Sequence, residues 1–213
     1  MLVETSKSAL RLLCACAAFL IGLSISRGAW AEESVIRHPG DHPNYAVELE
    51  PHLAFAFFLP QAGSTGVGIG GRATIPIVKN GFVPSINNSV GIGFGLDWLH
   101  YDGCYYSRYP FAYGAACDNL NSFWIPVVMQ WNFFLGTHWS VFGEPGISIV
   151  YHNFGSYYGC YNGINPVPCG SGPNHVTVEP VIFIGGRYHF SEAAALTLRI
   201  GWPYASIGVS FMP

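Results

Sequence analysis

From Tyr45 onward, large apolar residues recur at every second position, the period of a strand with one apolar face. A first run sets Val47, Leu49, Leu53, Phe55 and Phe57 against Glu48, Glu50, His52, Ala54 and Ala56. The second sets Val67, Ile69, Ala73, Ile75 and Ile77 against Gly68, Gly70, Arg72 and Thr74, and the third Val90, Ile92, Phe94, Leu96 and Trp98 against Gly91, Gly93, Gly95 and Asp97. Phe123 to Phe133 and Val141 to Tyr151 continue the pattern, with Gln130, Asn132, Glu144 and His152 on the small or polar face. Val176 to His189 opposes its apolar residues with Thr177, Glu179, Gly185, Arg187 and His189; Leu196 to Trp202 and Ile207 to Phe211 do so with Arg199 and a set of small residues. The pattern predicts eight strands, most of them long enough to cross a bilayer when tilted.

The charges give a second test, because the faces were assigned from apolar residues alone. Glu48, Glu50, Arg72, Asp97, Glu144, Glu179, Arg187 and Arg199 all fall on the small and polar face. A soluble sandwich turns its polar face to water and its apolar face to a shared core. A membrane barrel turns its large apolar side chains to lipid and its small and charged ones to the lumen. The glycine-rich, ionic inner face favours the barrel, as does the scarcity of lysine, Lys79 being the only one after residue 31. Eight is an even number that allows closure, and closure leaves no unpaired edge in lipid. The expectation is an all-β fold: an eight-stranded antiparallel up-and-down transmembrane barrel over 45–213. Pro51, Pro76, Pro126, Pro145 and Pro180 fall inside these strands, where each removes a ladder donor, so bulges or broken pairing are expected there.

The connections alternate in length. Pro60 to Gly66, Tyr101 to Asn121, Asn153 to His175 and a tight Pro203-Tyr204 turn lie at one end, and Lys79 to Asn88, Gly136 to His138 and Ser191 to Ala194 at the other. Longer loops are usually extracellular, which puts both chain ends in the periplasm. Trp98, Trp124, Tyr151 and Trp202 gather near the outer strand ends and Trp131, Trp139, Tyr188 and Phe211 near the inner ones, like interfacial girdles.

Composition and the first residues add an address. Of 213 residues only 10% are charged and 26 are glycine, a balance unlike an ordinary cytosolic globule. The net charge of −3, with no Lys/Arg cluster, offers nucleic acid no partner surface. Lys7 and Arg11 precede an apolar run from Leu12 to Ile25, and Ala29-Trp30-Ala31 is a small-x-small cleavage site. Residues 1–31 therefore read as a cleaved signal peptide and 32–44 as a flexible periplasmic leader, in which the nearby His38, Asp41 and His42 offer at most a weak metal site. The later cysteines, Cys104, Cys117, Cys160 and Cys169, lie in the two longest extracellular loops of an exported chain and are expected to form disulfides. Their spacings lack the short Cys-x-x-Cys pairs of zinc sites. Local pairing, Cys104 with Cys117 and Cys160 with Cys169, is expected because each couple sits in one loop.

With these strands in place, the chain from Tyr45 resembles the family of small eight-stranded outer-membrane barrels, such as the OmpA transmembrane domain and OmpX. The final segment, Ser206 to Pro213, resembles the C-terminal signal read by the barrel-assembly machinery, with Phe211 as a spaced aromatic and Pro213 where a terminal aromatic is expected. The resemblance implies outer-membrane lipid as surroundings, that machinery as a partner during biogenesis, and no cofactor.

Three functions follow for consideration. In a barrel this narrow the eight lumen charges, with His52, His152 and His189 nearby, are expected to pair with one another as a plug; a gated ion path or narrow channel is the alternative. An enzyme is the second: lipid A deacylases use a His-x-Ser pair with a separate Glu, and His138-Trp139-Ser140 with Glu144 offers those types, but at a periplasmic turn and without the Asn that follows in the deacylase pattern. The third lies in the loops, where Tyr105, Tyr106, Tyr109, Phe111 and Tyr113, and then Tyr157, Tyr158 and Tyr161, offer rigid amphipathic contacts to an extracellular ligand or surface partner. A non-enzymatic envelope or surface-contact barrel is the preferred expectation.

Overall fold

The computed structural model describes residues 34–57, 65–106, 115–154, 156–162, 165–171 and 174–213, and within them the side chains outside 102–119 and 154–173. The signal peptide expected over 1–31 lies outside the described residues.

Ten strands follow in chain order: β1 (Glu48–Ala56), β2 (Gly66–Val78), β3 (Asn88–Tyr106), β4 (Ala115–Phe134), β5 (Trp139–Phe154), β6 (Ser156–Asn162), β7 (Asn165–Ser171), β8 (His175–Ser191), β9 (Ala194–Trp202) and β10 (Ala205–Phe211). Eight of them form the closed wall, in the order β3-β2-β1-β10-β9-β8-β5-β4, with β4 pairing back onto β3; every pairing is antiparallel. Closure satisfies the backbone of both would-be edges, which lipid could not do.

Side-chain parity carries straight through the wall. Phe183 is 1% exposed, and its neighbour Ile184 is 64% exposed. Ile69, Leu96, Ile147 and Leu198 share the outward face with Ile184, whereas Glu50, Arg72, Asp97 and Arg199 share the buried inner one. A water-soluble fold would bury the first set.

The prolines act as their missing donor dictates. At Pro76 the β2–β3 register shifts. At Pro51, Pro126 and Pro145 the ladder skips two residues on one side only, against β10, β3 and β4 respectively, and resumes in the same register. Each of these last three prolines faces one neighbouring strand without an N–H, so pairing lapses there while the other neighbour holds the alignment; Pro180 stays in register opposite Ile147.

Two regions expected as loops are strands. β3 and β4 continue as one long hairpin as far as Tyr106 and Ala115, and β6 and β7 form a further hairpin between β5 and β8. β6 joins β4 at Tyr158–Cys117, so the two hairpins share one sheet beyond the barrel. Apolar alternation could not reveal them, because chain standing clear of lipid has no apolar face to maintain.

The opposite end is closed by short turns and by the segment preceding β1. In the β2–β3 turn, Asn88 Nδ2 donates to the carbonyls of Asn80, Val83 and Ile86 at 3.2, 2.8 and 2.8 Å. Gly81 takes a positive φ of 59° in that turn, a conformation that favours glycine. A free leader is not what the described part of 32–44 forms. Val35 is buried, and its N–H donates to Leu135 O at 3.1 Å in the β4–β5 turn. Asn87 donates to the carbonyls of Ile36 and Asp41, and the His42 ring stacks on Phe134 at 4.7 Å. The segment therefore crosses the barrel mouth from β1 to the turn on the far side. Its polarity suggested mobility, but hydrogen bonds to its backbone and the His42–Phe134 stack tie it to the turns, and composition does not report these.

Candidate functional site

The lumen is where the strands converge their chemistry. Inward positions along each strand stack two layers of buried side chains with different character.

The layer nearer the short turns is ionic. Arg199 on β9 is at its centre: Nη1 and Nη2 donate to the two Glu50 oxygens at 2.7 and 2.9 Å, and Nε and Nη2 to the two Glu144 oxygens at 2.8 and 3.2 Å. Such a two-pronged guanidinium–carboxylate fit is the strongest form of charged hydrogen bond in proteins. Glu144 on β5 also accepts from Arg72 Nη1 at 2.5 Å and Gln130 Nε2 at 2.8 Å, so both its oxygens are saturated. A second cluster pairs Arg187 with Glu48 at 2.8 Å and with Asn132 Oδ1 at 2.7 Å, and Ser210 donates to Glu48 at 2.7 Å. Phe142 packs its ring under two guanidinium groups, 4.2 Å from Arg187 and 5.2 Å from Arg199. At the floor, burial and the neighbouring Glu48 carboxylate push the Tyr45 phenol above its ordinary pKa.

Asp97 marks the boundary between layers. His52 Nε2 lies 2.9 Å from one of its oxygens, Arg72 lies 3.7 Å from the other, and the Tyr204 hydroxyl donates to the latter. Arg72 also donates to the Tyr204 oxygen at 3.1 Å. Above this boundary apolar side chains dominate the lumen: Ala54, Leu99, Tyr101, Leu120, Trp124, Val128, Val150, Val181, Phe183 and Tyr204 belong to one buried cluster, with the buried Ser122 and His152 hydrogen-bonded to each other at 2.8 Å beside it. The glycines of the inner faces make room for it; a Cβ at Gly66 would stand 2.4 Å from the Tyr101 ring.

Seven of the eight expected lumen charges, Glu48, Glu50, Arg72, Asp97, Glu144, Arg187 and Arg199, are thus brought into contact networks. Glu179 is not among them. It lies at the long-hairpin end, 28% exposed at its side chain and 3.9 Å from His152, because its strand extends well past the ionic layer. Tyr204 was expected only as part of a tight turn, yet it is a central member of the lumen. Its even-numbered spacing from Ser206 and Ser210 is the signal that could have placed it there, since parity continues one residue beyond β10.

The deacylase-like residues do not assemble. Ser140 is buried with its Oγ 2.9 Å from His189 Nε2, and Glu144 is held by the two arginines. His138 is exposed and stacks on Tyr188 with ring centroids 5.9 Å apart. Among the described residues, no cluster of three or more His, Cys, Asp or Glu side chains is arranged to hold a metal ion.

The side chains of the four cysteines and of Tyr105, Tyr106, Tyr109, Phe111, Tyr113, Tyr157, Tyr158 and Tyr161 lie outside the described residues. Backbone register nevertheless makes Cys104 and Cys117 direct partners across β3–β4, whereas Cys160 is opposite Val167.

No protein-family model matches the chain, and no curated protein matches it. Among solved structures it is similar to Ail, the attachment invasion locus protein of Yersinia pestis, crystallised in complex with the heparin analogue sucrose octasulfate. That match has 9% identity and a TM-score of 0.44, and covers 78% of this chain and 96% of that one. A second crystal structure of Ail matches at 8% identity with the same TM-score and coverage.

Proposed function

We propose that the chain is a non-enzymatic bacterial outer-membrane barrel, exported through a cleaved signal peptide, that presents its hairpins at the cell surface. The observation that carries this reading is the filled lumen beneath an apolar outer wall. Outward residues such as Ile69, Ile182 and Leu198 are more than half exposed, a surface suited only to lipid. Inside, the ionic layer and the aromatic cluster leave described lumen side chains such as Trp124, Phe183, Glu144 and Arg199 almost wholly buried, which favours a plug over an ion path. The paired charges contribute stability rather than conduction, and the saturated Glu144 offers no free base for hydrolysis.

What remains available for function is the sheet beyond the wall, β3 with β4 and β6 with β7. In this reading that end is extracellular, and its tyrosines meet an extracellular ligand or surface partner. Disulfides brace the hairpins, Cys104 with Cys117 and Cys160 with Cys169. Facing residues of an antiparallel pair have Cα atoms ~4.5–5.5 Å apart, within disulfide reach, which supports the first bridge. The second requires the β6–β7 register to slip, and that ladder is already irregular at Tyr157–Tyr158 and Tyr158–Cys160.

The test pairs two measurements on the intact protein. In planar bilayers the barrel should give no unitary conductance. On cells displaying it, removal of residues 103–118 should abolish attachment to host or abiotic surfaces while leaving the barrel folded. Steady single-channel currents, or attachment indifferent to the hairpin, would overturn the surface-contact reading.

A further inference from the structure

The outer wall is not uniformly covered. Most inner-face glycines are packed tightly, but Gly143 on β5 and Gly186 on β8 face outward. A Cβ at Gly143 would meet nothing within 4 Å, and one at Gly186 only the Ser140 carbonyl at 3.8 Å. They are neighbours on the same wall: Gly143 is opposite Ile184, and Gly186 is opposite Val141 on one side and Leu198 on the other. Glycine inside a strand weakens it and often marks a place where another group approaches the backbone closely.

These two positions open into a groove of about 840 Å³. It follows a cross-strand row, Gly143–Ile184–Ile200–Ala205–Phe55, in which each residue is the register partner of the next. Phe133 and Val141 flank it at the short-turn end and Leu198 and Ile207 farther along. From Phe133 on β4 to Phe55 on β1 it crosses five strand spacings, about 24 Å at ~4.8 Å each. With strands tilted by ~45°, a row perpendicular to them climbs about 17 Å along the membrane normal, close to one leaflet of a hydrocarbon core ~30 Å thick. The climb starts at the short-turn end, where Trp139, Tyr188 and Phe190 form an exposed aromatic cluster with ring centroids 5.0 and 5.5 Å apart. Aromatic rings of this kind sit at the headgroup level of a bilayer.

We propose that this groove is a binding site for one acyl chain of a glycerophospholipid in the periplasmic leaflet. The inference rests on the membrane placement and orientation proposed above. The occupant follows from three observations: the groove lies within the lipid-facing band, its side-chain walls are apolar, and its rise matches one leaflet. A flexible chain can thread obliquely between the projecting Ile184 and Ile200 side chains and settle over the bare backbone at Gly143 and Gly186, gaps that the rigid side chains of a second barrel would bridge without filling.

The experiment uses the full mature barrel in palmitoyl-oleoyl phosphatidylethanolamine vesicles, extracted in mild detergent, with retained lipid read by native mass spectrometry. A Cβ at Gly143 or Gly186 meets nothing nearer than 3.8 Å, so Gly143→Leu and Gly186→Leu, which fill the groove, should remain folded and heat-modifiable yet lose the retained phospholipid. Gly71→Leu is the control. Gly71 also faces outward with nothing nearer than 3.9 Å, but it lies on β2 outside the groove, and its lipid retention should equal wild type. Retention unchanged in the two groove variants, or lost equally in Gly71→Leu, overturns the proposal. So does a lipid-free two-copy species that Gly143→Leu disperses, since the groove would then be an interface between copies. A heat-modifiable wild-type barrel without retained lipid overturns the groove alone; a wild-type chain that never enters the vesicles overturns the membrane placement with it.

Discussion

Replacing Arg199 with Met removes the cation shared by Glu50 and Glu144 while keeping much of its volume. The two carboxylates are left unequally. Glu144 keeps Arg72 at 2.5 Å and Gln130 at 2.8 Å. Among the described residues Glu50 keeps His52 and Ser210, each at 3.5 Å, and the more distant charge of Arg187, and so becomes a buried charge with weak partners. Breaking a buried pair by removing one member costs about 3–5 kcal/mol, and Glu50 accounts for most of that cost here. Two consequences separate this account from general damage to the core. Arg72→Met should cost less than Arg199→Met, because Glu144 retains Arg199, and Asp97 retains His52 and Tyr204. Adding Glu50→Gln to Arg199→Met should recover part of the loss, because it removes the stranded charge. Urea unfolding of the barrel in lipid vesicles, followed by tryptophan fluorescence, measures all four proteins on one scale. Arg199→Met within about 0.5 kcal/mol of wild type, the range of ordinary surface changes, would refute the network, and so would a double variant weaker than the single one.

Other outcomes follow from the same geometry. Trp124→Ala, which empties the largest side chain of the upper lumen, should cost about 3–5 kcal/mol in the same assay, and a neutral result would mean that this layer is hydrated. Non-reducing peptide mapping should join the peptides bearing Cys104 and Cys117; closing a loop of this size stabilises by roughly 3 kcal/mol in the chain-entropy model. A Cys104 peptide linked instead to Cys160 or Cys169 would break the local pairing. Lipid A profiles of cells producing the wild type, His138→Ala and Ser140→Ala should be identical, and a lost deacylated species would restore an enzymatic role.

The wall was legible because lipid imposes a rule on every second residue. Ile69, Leu96 and Ile184 must be apolar wherever they meet hydrocarbon, so alternation located the strands and the charges located the inner face. The interior was only half legible. Parity put Arg199 and Glu50 inside, but which carboxylate each arginine meets depends on stagger around the barrel, which period-two patterns do not encode. The apolar half of the lumen was hidden for a related reason. Leu99, Val150 and Phe183 sit at strand positions where apolar residues occupy both faces, so the contrast that marks a strand disappears. Tyr204 belongs to a turn by composition and to the lumen by geometry. The hairpins beyond the wall and the segment from Ser34 to Asn44 obey no lipid rule, and backbone pairing alone reveals them.

The central claim is a closed barrel with a lipid-facing wall, and unheated gel migration of the protein recovered from outer-membrane fractions tests it most directly. The account predicts that the unboiled protein runs as a compact band that shifts on boiling, with a β-rich circular-dichroism spectrum in detergent. A folded monomer that stays soluble in detergent-free buffer and migrates identically before and after boiling would contradict it.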